Sequence, residues 1–136
     1  MADGHPNLSV EDWSCRHMIL PRSHGDNGNT PWGVGALMAL AEGYQLVAFL
    51  DADNWYHEGH IASLLSLYKE THSPVCCSFR TFHSIEGSML NAKEIDEDNL
   101  SHLDASCMIL RKDASRLAII WALMLKNFLQ FVAESF

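Results

Sequence analysis

Two aspartates that follow an apolar segment are the residues of this chain whose types and spacing best suit chemistry. Asp51 and Asp53 stand directly after Gln45–Leu50, a mainly apolar run of strand length. In open α/β sheets, ligands bind beyond the carboxyl ends of the strands, where both carboxylates can turn toward one crevice. Two carboxylates suit a hard cation such as Mg²⁺ or Mn²⁺, which keeps positions open for phosphate oxygens. The spacing therefore predicts a divalent-metal site that would help a diphosphate to leave.

Other interpretations of the same segment stay open. Asp51 can instead cap the following turn while Asp53 is simply solvated. His57 and His60 are three residues apart, so they share one face if both lie on a helix. Together with the two aspartates they could then surround a zinc ion.

The segments around these aspartates alternate between helix and strand patterns. Strands are predicted over residues 45–50, 74–82, 89–90 and 104–110, and helices over 31–43, 57–71 and 113–136. Thr30 is the expected N-cap of the first helix, Pro31 its first residue and Gly43 its left-handed C-terminal cap. An unbroken apolar run suits a strand covered on both faces, as in parallel sheets. The pattern predicts an α/β fold with a mostly parallel sheet flanked by helices.

The predicted last helix is apolar almost all round. It extends from Asp113 to Phe136 and carries one carboxylate after its cap, Glu134. Such a helix needs neighbours on several sides, and the chain offers few. We therefore expect an exposed apolar patch there, or a homo-oligomer that covers it.

Composition excludes several classes of partner. The chain has 9 Lys+Arg against 17 Asp+Glu, a net charge of −8, which argues against a nucleic-acid surface or a polybasic membrane patch. The longest apolar run, Leu117–Leu125, falls short of the roughly 20 residues of a transmembrane segment. The start of the chain lacks a signal-peptide pattern. Four cysteines without a CxxC pair favour buried free thiols, and together these features predict a cytoplasmic protein.

The chain resembles GT-A glycosyltransferases, and more narrowly family 2. The resemblance covers roughly residues 1–115 and is most specific at Leu50-Asp51-Ala52-Asp53, the Asp-x-Asp motif. An Asn/Gly-rich turn and a helix ending in Ala41-Glu42-Gly43 precede the motif, as in that family. A helix with a histidine and aliphatic residues follows, over 60–65, and the strand over 104–112 ends in basic residues as in family members.

The resemblance implies a Rossmann-like sheet, a nucleotide-diphospho-sugar donor and an acceptor whose hydroxyl attacks the anomeric carbon. In family terms Asp53 would bind the metal, and Asp51 would bind ribose or share the metal. Asp3 would contact the nucleobase or ribose, unless it belongs to a frayed terminus. Neither the donor sugar nor the acceptor can be named from the sequence.

The sequence also departs from the family. The first strand and its helix are missing, and the carboxylate that acts as general base would lie beyond Phe136, so no catalytic base is assigned. Residues 1–136 are therefore expected to form one partial GT-A domain. Residues 23–68 contain no Arg or Lys, although Arg16 and Arg22 could approach a diphosphate from their loop.

Two classes of function remain after these observations. The first is a metal-dependent glycosyltransferase, with Trp55 and Tyr56 packed at the lip of the crevice and Arg80 and His83 on the acceptor side. The second is a truncated, inactive module that binds nucleotide and metal. Haloacid-dehalogenase-type phosphatases also use Asp-x-Asp after a strand, but that motif normally has Thr or Val two places on, and the Asn54 and Trp55 found here disfavour them.

Overall fold

A computed structural model describes residues 1–91 and 104–123 of the chain. The helices are α1 Asn29–Ala41, α2 His60–Thr71 and α3 Ser115–Leu123. The strands are β1 Leu46–Ala48, β2 Val75–Cys77, β3 Phe82–His83, β4 Met89–Leu90 and β5 Met108–Arg111. The chain divides into two compact units: the first is Met1–Gln45 together with the segment from Lys112 onward, and the second is Leu46–Arg111.

The larger sheet lies within the second unit and has the strand order β1-β5-β2. Val47 pairs with Leu110 across one ladder, Cys76 pairs with Ile109 across the other, and both ladders are antiparallel. Because β1 and β2 each run opposite to β5, they run in the same direction as each other, and α2 lies in the connection between them. The carboxyl ends of β1 and β2 therefore share an edge of the sheet with the amino end of β5.

The prediction of a mostly parallel, Rossmann-like sheet is wrong. All strand pairs of the two described sheets, β1-β5-β2 and β3-β4, are antiparallel. The prediction took the apolar run over 45–50 as a strand covered on both faces, but β1 is an edge strand and only Phe49 of that run is buried. Here β5 is the most buried strand because it lies between two neighbours, with Leu110 fully covered.

The core of the second unit forms where α2 covers the sheet. Leu64, Cys76 and Ile109 make a buried cluster, against which Tyr68 packs. Burial raises the pKa of the neighbouring Cys77 thiol, which keeps it protonated.

All four cysteines are free thiols, as predicted, but they are not all buried. Cys76 and Cys107 are buried, whereas Cys15 is exposed. The sequence around Cys15 gives no apolar pattern that would have fixed its side chain in a core.

The first unit is built on the packing of α1 against α3. Gly33 permits the close approach, because a Cβ at this position would lie 2.2 Å from the backbone nitrogen of Ala122 and 2.5 Å from the carbonyl oxygen of Ala118. The backbones of the two helices thus meet without an intervening side chain.

The carboxyl end of α1 follows the prediction, but the predicted N-cap is wrong: Gly28 is the N-cap, and Thr30 lies inside the helix. The helix begins at Asn29, before the predicted Pro31. The buried Asp26 carboxylate caps it by accepting hydrogen bonds from the backbone N–H of Thr30 at 2.9 Å and its hydroxyl at 2.5 Å. At the other end Gly43 has a φ of 101°, which confirms the predicted left-handed cap.

The described part of the last helix is α3, which follows a short 3-10 turn at Lys112–Ala114. Its apolar side chains are largely exposed: Leu117, Ile119, Ile120 and Leu123. The expected apolar patch is present on these residues, while an oligomer that covers it stays a prediction. The continuation predicted over 124–136, including Glu134, and the acidic stretch over 92–103 lie outside the described residues. Within residues 1–91 and 104–123, no helix has the length and apolarity to cross a membrane.

Candidate functional site

Three segments of the second unit meet where β1 and β2 end and β5 begins. They are residues 49–57, residues 78–81 and residues 104–107, which we call the strand-end edge. The backbone N–H of Ser78 donates a hydrogen bond of 2.8 Å to the carbonyl oxygen of Cys107 and extends the ladder into this edge. The topology therefore gathers segments that are far apart in the sequence.

The aspartate turn, Asp51–Asn54, is anchored at the strand-end edge by Ser106. The buried hydroxyl oxygen of Ser106 accepts hydrogen bonds from the backbone N–H of Asp51 at 3.3 Å and the side-chain amide of Asn54 at 3.0 Å. The backbone N–H of Asn54 donates to the Asp51 carbonyl at 3.1 Å and closes the turn. Sequence reasoning missed Ser106, because its two partners lie 55 and 52 residues away.

The aspartate turn presents two carboxylates of different exposure. Asp51 is half-buried and Asp53 is exposed. Magnesium is usually bound by one or two carboxylates together with water and substrate phosphates. The two carboxylates of the aspartate turn match the protein part of that ligand set. Across residues 1–91 and 104–123 no group of three His, Cys, Asp or Glu side chains gathers for a metal. A cation at the turn would therefore take its remaining ligands from phosphate and water.

A cavity of about 150 Å³ adjoins the turn and is lined in part by Asn54. Most of its wall consists of aromatic and imidazole rings: Trp55, Tyr56, His57, His60, Phe79, Phe82 and His83. Its other polar side chains are Arg80, Thr81, Asp104 and Ser106. Flat rings beside a few hydrogen-bonding groups are typical of a site for a small, partly polar ligand.

Tyr56 fixes the loop between the aspartate turn and α2. Its hydroxyl donates a hydrogen bond to the carbonyl oxygen of Phe49, and its ring stacks on His60 at 4.7 Å with an interplanar angle of 13°. Burial raises the pKa of the Tyr56 hydroxyl, so it stays a neutral donor. Trp55, by contrast, is 57% exposed. Of the two predicted lip residues, Tyr56 is held in place and Trp55 offers an open face.

Asp104 and Arg80 form the charged wall of the cavity. The Arg80 guanidinium lies 3.4 Å from the Asp104 carboxylate and over the Phe82 ring, 4.9 Å from its centroid. Asp104 also accepts a hydrogen bond of 2.9 Å from the backbone N–H of Ser106 and so caps the turn before β5. These contacts give Asp104 a structural role at the base of the strand-end edge.

The four-ligand zinc interpretation assumed that His57 and His60 share a helix face. In the structure α2 begins at His60, so His57 precedes the helix and the two rings diverge. His60 stacks on Tyr56, whereas the Nε2 atom of His57 lies 3.3 Å from the Nε2 atom of His83. His83 lies on β3 and lines the cavity.

Asp3, the predicted nucleotide contact, belongs to the first unit, whereas Asp51 and Asp53 belong to the second. Its carboxylate accepts hydrogen bonds from the His24 backbone N–H at 2.9 Å and the Ser23 hydroxyl at 3.3 Å, and it pairs with His24 Nδ1 at 2.5 Å. The His24 side chain holds the pKa of the Asp3 carboxyl below its usual value. These bonds order Asp3, so a frayed terminus does not describe it.

The two arginines of the amino-terminal loop are surface residues. Arg16 forms an ion pair with Glu42, in which both side chains are exposed. Arg22 is exposed as well. Solvent screening makes such an ion pair weak, so Arg16 retains the charge to meet an anion but has no fixed orientation toward one.

Comparisons of the chain with protein-family models, with curated proteins and with solved structures gave no match.

Proposed function

We propose that this chain carries the metal-binding and donor-binding part of a glycosyltransferase. The donor would be a nucleotide-diphospho-sugar, and the acceptor a hydroxyl compound. The observation that carries the proposal is the aspartate turn, which follows β1 and is anchored on Ser106 beside a ring-lined cavity. A metal ion held by the two carboxylates would supply the positive charge that a diphosphate needs, and the aromatic rings that line the adjoining cavity offer the flat faces that a sugar needs.

Each part of the site has a distinct task in this proposal. Asp51 and Asp53 would hold Mn²⁺ or Mg²⁺, which neutralises diphosphate charge when bound. Ser106 keeps the turn that carries both carboxylates in one conformation, so less ordering entropy is lost on binding.

The exposed Trp55 ring is the surface on which a sugar ring can stack. Sugars present patches of C–H groups that pack on aromatic faces, and Trp55 keeps more than half of its surface open for such packing. The neutral Tyr56 hydroxyl is already committed to the Phe49 carbonyl, so it positions the loop instead of binding the ligand. Arg80 and His83, which also line the cavity, would face the acceptor.

A second candidate is a module that binds nucleotide and metal without turnover. It is favoured by the contacts that Asp104 already makes, since Asp104 is the one carboxylate that lines the cavity among the described residues. Because Asp104 is engaged by Arg80 and by the Ser106 N–H, we do not assign it as the base that takes the acceptor proton. Glycosyl transfer requires such a base.

Calorimetry with Mn²⁺ and the nucleotides UDP and GDP tests the binding step. We expect Asp53→Asn and Asp51→Asn to weaken nucleotide binding by about tenfold or more, because each removes a charged oxygen ligand but keeps the side-chain shape. Asp12→Asn, an equal change of charge at an exposed site in the first unit, should alter binding by less than about twofold.

Turnover then separates the two candidates. Hydrolysis or transfer of a nucleotide sugar that is lost in Asp53→Asn supports the transferase. Nucleotide binding that depends on Asp53 without any turnover supports the binding module. Metal-independent binding, or phosphate release from a simple phosphomonoester, contradicts both candidates.

A further inference from the structure

We propose that His57 and His83 form a two-histidine site for a borderline transition-metal ion, with Zn²⁺ as its representative. The site does not depend on the glycosyltransferase proposal, and it uses nitrogen ligands where the aspartate turn offers oxygens. The starting observation is that the Nε2 atoms of the two imidazoles face each other at 3.3 Å.

The separation of the two nitrogens matches two corners of a tetrahedral zinc site. Zinc–nitrogen bonds of 2.0–2.1 Å at the tetrahedral angle place two ligand nitrogens about 3.3–3.4 Å apart. With each ring centroid about 1.1 Å behind its nitrogen, the two centroids should lie about 5.2 Å apart. The observed centroid separation is 5.3 Å, with an interplanar angle of 43°. Both distances therefore leave room for one ion between the rings.

The hydrogen bond on the far side of His83 fixes which of its nitrogens can bind metal. His83 Nδ1 lies 3.1 Å from the carbonyl oxygen of Gly87. A carbonyl only accepts, so Nδ1 carries the proton and donates it, and Nε2 of the neutral ring keeps its lone pair. Metal-binding histidines usually have such a carbonyl or carboxylate partner, which orients the ring and raises its basicity.

Local backbone structure holds both rings in place. His83 pairs with Met89 across the β3-β4 hairpin, whose turn contains Gly87 at a φ of 86°. The carbonyl of His57 accepts a hydrogen bond of 3.1 Å from the backbone N–H of His60. The centroid of the Trp55 ring lies 5.2 Å from that of the His83 ring, with an interplanar angle of 58°. The pair is thus presented by two ordered segments of the same unit.

The ligand type selects the class of metal. Neutral imidazole suits zinc, copper and nickel, whereas magnesium and manganese prefer carboxylates and water. Two protein ligands would leave two corners of a tetrahedron for water or for a donor atom of a substrate. His57 is exposed and His83 half-buried beside the cavity, so an ion between them would be reachable from solution.

A direct hydrogen bond between the two imidazoles is the competing explanation. It would require a proton on Nε2 of His57, and its length of 3.3 Å equals that of the hydrogen bond from the Asp51 N–H to Ser106. Metal binding replaces that proton with the ion. If the two rings only share a hydrogen bond, the pair should bind no zinc. If they form a metal site, zinc should bind and should require both nitrogens.

The test is a titration of the metal-free full chain with Zn²⁺ by calorimetry and with Co²⁺ by visible absorption. We expect one ion per chain and the strong absorption of tetrahedral Co²⁺. His83→Asn keeps a donor directed toward the Gly87 carbonyl but removes Nε2, so it should preserve the hairpin and weaken Zn²⁺ binding at least about tenfold. His57→Ala should weaken binding to the same extent.

Two controls separate this site from others. His5→Ala removes another exposed histidine and should leave Zn²⁺ affinity unchanged. Asp53→Asn should also leave it unchanged, whereas the same variant should lose Mn²⁺-dependent nucleotide binding if the transferase proposal holds. Far-UV circular dichroism confirms that each variant is folded. If Zn²⁺ affinity is the same in wild type, His57→Ala and His83→Asn, the two-histidine site is wrong.

Discussion

Adding a single methyl group at Gly33 tests the packing on which the first unit depends. In the Gly33→Ala variant the new Cβ would lie 2.2 Å from the backbone nitrogen of Ala122 and 2.7 Å from its Cα. Ordinary van der Waals contact begins near 3.4 Å, so the nearest contact is short by about 1.2 Å. The clash is with backbone, so rotation of a side chain cannot relieve it and α1 must move away from α3.

The expected magnitude combines two opposing terms. Overpacking a close contact costs about 1–3 kcal/mol, and contact with backbone atoms places this case at the upper end, about 3 kcal/mol. Alanine is better than glycine inside a helix by about 1 kcal/mol. We therefore expect the free energy of unfolding of Gly33→Ala to fall by about 2 kcal/mol.

Gly35 provides the matched control on the same helix. A Cβ at Gly35 would meet only the end of the flexible Met1 side chain, at 3.8 Å. Gly35→Ala should gain the helix propensity without the clash and stabilise the protein by about 1 kcal/mol. Urea denaturation followed by circular dichroism measures both variants. Equal stabilities of the two variants would refute the close packing of α1 on α3.

Three further predictions concern single side chains. Ser106→Ala removes the acceptor shared by two donors of the aspartate turn, so unfolding free energy should fall by about 1–2 kcal/mol and nucleotide binding should weaken. His24 lowers the pKa of the Asp3 carboxyl in the folded state. The stabilisation that this pair contributes is therefore present above the unfolded-state pKa and is lost as pH falls through the lowered folded-state pKa. Asp3→Asn should flatten that part of the curve of stability against pH. The exposed Cys15 should react with a thiol reagent in the native state, whereas Cys76 should react only on unfolding.

Each of these predictions has a result that would contradict it. Unchanged stability and binding in Ser106→Ala, measured beside a Ser9→Ala control on the exposed surface, would show that the turn does not need its anchor. If wild type and Asp3→Asn showed the same dependence of stability on pH below neutral pH, the stabilising interaction of Asp3 with His24 would be contradicted. Rapid native-state labelling of Cys76, read by peptide mass spectrometry, would contradict its burial.

Local sequence patterns predicted most of the elements, because the groups that form them lie within a few residues of each other. The apolar run over 45–50 contains β1, and Gly43 ends α1 with the left-handed conformation that glycine adopts without strain. The turn at Glu86-Gly87 gives the β3-β4 hairpin for the same reason. The Asp-x-Asp turn after β1 was likewise visible from neighbouring residues alone.

Tertiary structure decided the strand directions and the surroundings of the candidate sites. Nothing near the apolar run over 45–50 specifies that β5, some 60 residues later, inserts between β1 and β2 in the opposite direction. The anchor of Asp51 on Ser106 and the pairing of His57 with His83 span 55 and 26 residues. Such contacts depend on where the later part of the chain joins the sheet. Burial and hydrogen bonding of the whole unit determine that position. Composition and periodicity indicate which residues can be buried, but they specify neither the direction of a strand nor the distant residue with which it pairs.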